Sequence, residues 1–94
     1  MTAEGTMTSV AVDLFTDQGN GAVLRLPERR FPGVLIQGDT LSNYLSTMGE
    51  ILDAFQRGDS ADAESIVREL KADFEELRDS YEAALKKHGV PLPY

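Results

Sequence analysis

The stretch Val34-Leu35-Ile36-Gln37-Gly38-Asp39-Thr40-Leu41-Ser42-Asn43-Tyr44-Leu45 contains a change of hydrophobic period, and that change decides the fold. Up to Gly38 the apolar residues lie in short or alternating runs, as in strands. From Leu41 onward they recur every three or four residues, as on one face of a helix. The chain therefore divides near residue 38 into a β part (8–38) and a helical hairpin (39–89), followed by a short tail (90–94). The fold class expected is α+β: an N-terminal antiparallel β-hairpin packed on a C-terminal antiparallel helical hairpin.

Downstream of the break, Leu41, Leu45, Met48, Leu52 and Phe55 step by 4, 3, 4 and 3, with Tyr44 and Ile51 widening the stripe. Asp39 or Thr40 suits the N-cap, since either side chain can accept from unpaired backbone N–H groups. Gly58 ends this helix. Asp59 or Ser60 caps the next, whose seam runs Ala63, Val67, Leu70, Phe74, Leu77, Tyr81 and Ala84. Lys86, Lys87 and His88 complement the dipole of its last turn, and Gly89 with Pro91 stops it. The pairs Glu64–Arg68, Lys71–Glu75 and Glu82–Lys86 have i,i+4 spacing. A connection this short makes the helices antiparallel neighbours. The second outreaches the first by about 18 Å at 1.5 Å per residue, so something must cover Leu77, Tyr81 and Leu85. The sheet is the economical cover, and a second copy of the chain is the other.

Upstream, Val10, Val12 and Leu14 alternate with Ala11 and Asp13, and Ala22-Val23-Leu24-Arg25-Leu26 alternates again. Between them, Thr16-Asp17-Gln18-Gly19-Asn20-Gly21 is a turn cluster. Val10, Val12 and Leu14 with Ala22, Leu24 and Leu26 are the rows expected inside. Arg25 then belongs to the other face, near Asp13 or Phe15. Pro32-Gly33 fits the centre of a type II turn, and Val34–Gln37 suits a short third strand. Residues 1–7 are small and polar and read as a flexible N-terminus, leaving one domain over 8–94.

The chain has 94 residues, 9 Lys+Arg against 16 Asp+Glu, and a net charge of -7. Residues 1–38 carry a net of -1 and residues 39–94 a net of -6. An acidic surface argues against nucleic acid and anionic membrane as partners, because both are bound through basic residues. With no cysteine and one histidine, neither a thiolate nor a His-based metal site is expected, and no cofactor. No nucleophile elbow, Walker motif or dinucleotide fingerprint is present, so a non-enzymatic protein is expected. The absence of cysteine, of a secretory leader and of a long apolar run fits a cytoplasmic location.

Candidate functional residues cluster in one segment. Arg25, Arg29 and Arg30 with Phe31, Pro32 and Gly33 make an arginine–aromatic loop, of the residue types enriched at binding hot spots. Gln37 and Asp39 lie at the start of the first helix, and Tyr94 ends a stiff Pro-Leu-Pro-Tyr tail that could join Phe31 in one surface. The leading expectation is a protein-binding module, regulatory or of the immunity type, docking an unidentified partner through this loop. Two alternatives stand beside it. One is a binder of a small anion, held by the arginines and the first-helix N-terminus. The other is a structural homodimer built on the long second helix.

The segment Arg25–Leu41, reading R-x-P-x-R-x-F-P-G-x-x-x-Q-G-D-T-L, and the ending His88–Tyr94, H-G-V-P-L-P-Y, resemble a group of short bacterial proteins classed as a domain of unknown function. The likeness spans about residues 8–94. It implies no activity, cofactor or catalytic residue, and suggests that the loop and the tail act together. A weaker likeness is to peptide-recognition domains of modified-peptide biosynthesis, which also place a small sheet before helices, although this chain has one long second helix where they have shorter ones.

Overall fold

The computed structural model describes residues 6–94, so most of the N-terminal segment assigned to 1–7 lies outside the described residues. Strands β1 (Asp13–Leu14), β2 (Val23–Arg25) and β3 (Gly33–Val34) precede helices α1 (Gly38–Gln56) and α2 (Ser60–Lys87). The sheet order is β1-β2-β3, antiparallel throughout. The α+β architecture read from the sequence is the one observed, with the third strand present.

The strands are much shorter than the alternating runs, and the row that faces the helices is the opposite one. Asp13 pairs with Arg25 and Leu14 with Leu24. Phe15 donates its N–H to the Val23 carbonyl at 2.8 Å, so Phe15 and Val23 share the inner face. Val23 is fully buried and Phe15 nearly so, whereas Val10, Val12, Leu14 and Leu26 are exposed and Leu24 is half-buried. Of the residues expected inside, Ala22 alone is buried. Period-2 alternation identifies two rows but not which one turns inward, and here the row that does carries the Asp13–Arg25 pair beside Phe15 and Val23. The inner row is selected by what it meets. Phe15 and Val23 form one cluster with Tyr81, Ala84 and Leu85 at the C-terminal end of α2, and Val34 and Val90 pack against it. The sheet thus covers the overhanging part of the long helix, as its length required.

Turn chemistry also differs from expectation in one place. Gly33 lies in β3 without a positive φ, so Pro32-Gly33 is not a type II turn. That turn sits earlier, where Arg29 N–H bonds the Leu26 carbonyl at 3.2 Å across Pro27 and Glu28. Glu28 has φ 66°, at the position that demands the left-handed region. Ahead of β2, Ala22 N–H bonds the Gly19 carbonyl at 3.0 Å, with Gly21 at φ 85°.

Both helices end as the glycines indicated. At Gly58 (φ 77°) the Asp59 N–H reaches back to Ala54, and at Gly89 (φ 68°) the Val90 N–H reaches back to Leu85, each a six-to-one Schellman closure. The Asp59 carboxylate caps α2 by accepting from Asp62 N–H at 3.0 Å. At α1, however, the helix begins at Gly38 with Gln37 in the cap position and no side-chain cap. Asp39 instead accepts from the adjacent Thr40 N–H at 2.8 Å. Glu64–Arg68 pairs at 2.6 Å and Lys71–Glu75 at 4.0 Å. Glu82–Lys86 is not an ion pair among the described residues, because Glu82 accepts from the Tyr94 hydroxyl at 2.7 Å.

The largest departure concerns α1. Its contact face is Thr40, Tyr44, Thr47, Ile51 and Ala54, and Ala54 packs in the same half of the hairpin as the fully buried Ala63. Leu41, Leu45, Met48, Leu52 and Phe55, read as the seam, are exposed. Both sets step by 4 and 3, and they lie on adjoining flanks of one wide apolar surface. The flank of smaller side chains, with Ala54 fully buried, faces α2. On α2 the expected seam holds at Ala63, Leu70, Leu77, Tyr81 and Ala84, while Val67 and Phe74 remain exposed.

Candidate functional site

The loop joining β2 to β3 carries Arg29, Arg30, Phe31 and Pro32 of the residues singled out in the sequence. Its start is shaped by Pro27 and by Glu28 in the left-handed region. Its end is held by the core: the Tyr81 hydroxyl donates to the Pro32 carbonyl at 2.7 Å, and Pro32 is buried. Between these anchors, Arg30 lies over the Phe31 ring at 5.0 Å, a cation–π arrangement at the surface.

Leu24, Leu26 and Leu35, with Phe31 and Arg29, line a shallow cavity of about 400 Å³ on the outer face of the sheet. Leu26 and Leu35 remain about half exposed, at 47% and 48%. This outer face is the row that the sequence reading had placed in the core. Alternation signals it; what was missing was the choice of face. The arrangement offers an apolar floor with two arginine side chains beside it, suited to an apolar group next to a carboxylate.

The other predicted residues lie elsewhere. Arg25 belongs to the inner row, where Nε and Nη2 donate to Asp13 Oδ2 at 3.1 and 2.9 Å and the guanidinium stacks 5.5 Å from the Phe15 ring. It is a positioning group of the sheet and does not line the outer cavity. Gln37 donates its backbone N–H to Asn20 Oδ1 at 3.0 Å, and Asn20 Nδ2 donates to Thr40 Oγ1 at 2.7 Å. Asn20 thus ties the β1–β2 turn to the start of α1. The sequence marks it only as a turn residue. Because β3 runs antiparallel to β2, the start of α1 lies at the end of the sheet carrying that turn, and the arginine loop lies at the opposite end. Arg25, Arg29 and Arg30 are therefore not gathered beside Gln37 and Asp39, the juxtaposition on which the anion-binding alternative relied.

Tyr94 and Phe31 are also on different sides of the loop. The tail returns along α2, and Tyr94 lines a second groove, of about 400 Å³, with Pro32, Val34, Ile36, Phe74 and Tyr81. Pro32 and Gly33 form the wall common to both hollows. The Tyr94 phenol is raised above its ordinary pKa, first by its hydrogen bond to Glu82 and then by desolvation and the carboxylate charge. Burial raises Tyr81. His88, at the C-cap of α2, sets its ring edge-on to Phe15 at 5.0 Å. Its Nε2 lies 3.2 Å from the Phe15 carbonyl, a bond in which Nε2 must carry the proton. Its role is to fasten α2 to the sheet.

Among the described residues, no three or more His, Asp or Glu side chains are grouped to hold a metal ion. No described helix is long and apolar enough to cross a membrane.

Taken together, the small antiparallel sheet on an acidic helical hairpin defines a class of α+β domain with an open outer sheet face. The chain belongs to the family of unknown function DUF6959, whose model matches residues 7–94. Neither the curated proteins nor the solved structures yield a match.

Proposed function

We propose that this chain is a non-enzymatic binding module of the bacterial cytosol that docks a protein partner on the outer face of its sheet. The observation that carries this reading is the shallow cavity bounded by Leu24, Leu26, Phe31 and Leu35, with Arg29 lining it and Arg30 stacked on Phe31 next to it. Exposed large apolar side chains beside arginines favour a segment presenting one apolar anchor and a neighbouring acid. The loop is held to the core through Pro32 and Tyr81, so little ordering cost is left for binding.

The test is co-purification of the tagged chain from its native host beside two variants, Phe31→Ala and Arg29→Ala/Arg30→Ala. One protein recovered with the wild type and at least tenfold depleted in both variants supports the reading. Equal recovery with all three baits removes the loop from the binding surface. Circular dichroism of the variants establishes that the depletion is not unfolding.

A further inference from the structure

Leu41, Leu45 and Leu52 of α1 are 62%, 70% and 61% exposed, and Met48 and Phe55 complete the same bare stripe. Because the helices run antiparallel, the exposed flanks of their two seams fall on one side of the hairpin. Val67 and Phe74 of α2 adjoin the stripe there, and the Phe74 ring packs 4.7 Å from Tyr44 of α1. No segment among the described residues covers this face. The five stripe residues and these two expose on the order of 800 Å², taking about 150–250 Å² for each large side chain, which is what each partner contributes to a standard interface.

The molecule as a whole has more surface than its mass calls for. It exposes 7159 Å², against about 5,400 Å² for a compact monomer of this size. Its radius of gyration is 17.5 Å, against about 12 Å for a compact chain.

We propose that the occupant of this face is a second copy of the same chain, docked through α1 in an antiparallel, twofold arrangement centred on Met48. The stripe is self-complementary in that direction. Leu41 lies seven residues before Met48 and Phe55 seven after it, while Leu45 and Leu52 lie three before and four after. Reversal about Met48 therefore sets Leu41 against the partner's Phe55, Leu45 against the partner's Leu52, and Met48 against its own equivalent. An isologous contact requires a patch that tolerates its own copy. This stripe contains no ionised side chain, and the acids of α1, Asp39, Glu50 and Asp53, lie off it. The 4-3 spacing provides the ridges for near-antiparallel four-helix packing. The face is separate from the outer sheet surface, so the dimer would present two copies of that surface.

Sedimentation equilibrium of the full chain over a range of concentrations tests this. The expected mass is twice the 10.3 kDa of one chain, falling to the single-chain mass in Leu45→Lys/Leu52→Lys with helicity retained. A wild type that stays at the single-chain mass at high concentration overturns the proposal, as does a helical double variant that stays dimeric. Because the chain has no cysteine, Met48→Cys gives a second reading that does not depend on the double variant folding. Mild oxidation is expected to link most of the Met48→Cys chains in pairs and to leave Glu50→Cys unlinked. A dimer in which Met48→Cys does not link, or links no better than Glu50→Cys, overturns the α1-centred arrangement.

Discussion

The two ends of α2 are packed in opposite ways. Its C-terminal third meets the sheet through Tyr81, Ala84 and Leu85, with Phe15 and Val23 closing over them, and Val23 and Leu85 are wholly inaccessible. Its N-terminal half lies against α1, where Ala54 and Ala63 are buried and Tyr44, Ile51 and Leu70 only half-buried, while Leu41, Leu45, Met48, Leu52 and Phe55 of α1 face outward. The first region is a core in miniature, made by residues far apart in sequence. The second is a helix pair that leaves the larger part of its apolar side chains uncovered. A helical hairpin joined by a few residues forms almost regardless of which flank is inside, whereas the sheet holds its place only through specific long-range contacts.

The sharpest way to break this contrast is to truncate one leucine at each end. Leu85→Ala removes a side chain from the sealed cluster and is expected to cost about 2–5 kcal/mol. Leu45→Ala, at dilutions where single chains dominate, is expected to stay within about 0.5 kcal/mol of wild type, as for a surface substitution. Urea unfolding at low micromolar concentration measures both, and similar losses would erase the distinction. Next in size is Tyr81→Phe, which leaves the buried Pro32 carbonyl without its donor. The expected cost is about 1–3 kcal/mol, again from urea midpoints, and no change would mean that water replaces the hydroxyl.

The smallest effect concerns the tail. The Tyr94 phenol bonds the Glu82 carboxylate and is held above its usual pKa. A protonated group whose pKa is raised on folding contributes stability below its unfolded value, lost as pH rises through the folded value. The tail contact is therefore intact at neutral pH and released only in alkali above pH 10. Absorbance titration of the tyrosines is expected to show one phenol moving toward its ordinary range in Glu82→Ala, and an unchanged curve would detach the tail from α2.

Much of the architecture was legible in the sequence. The change of period near Gly38 separated strands from helices. Gly58 and Gly89 fixed the helix ends because only glycine takes the left-handed closure there at no steric cost. The overhang of α2 implied that something must cover Leu77, Tyr81 and Leu85, the sheet or a second copy, and the sheet covers Tyr81 and Leu85. The arginine–aromatic loop was legible as a cluster, but its surroundings were not. Leu24 and Leu26 were assigned inside, and prove to border the open cavity. Arg25 was grouped with Arg29 and Arg30, yet its bond to Asp13 directs it to the inner row. Strand alternation did set Arg25 on the face opposite Leu24 and Leu26, near Asp13 or Phe15, and it meets both.

What the sequence determined by itself is local: which residues are helical, where each helix stops, and that two short runs pair as strands. These follow from backbone preferences and periodicity acting over a few residues. Two choices were left to the tertiary structure, namely which row of the hairpin turns inward and which flank of α1 meets α2. In each case the more apolar set stays outside: the inner row carries Asp13 and Arg25, and the contact flank of α1 carries Thr40 and Thr47, so local apolar patterning pointed the other way. The choice falls to long-range complementarity, where Phe15 and Val23 fit the Tyr81–Leu85 surface and the small side chains of Ala54 and Ala63 are the ones fully buried in the hairpin.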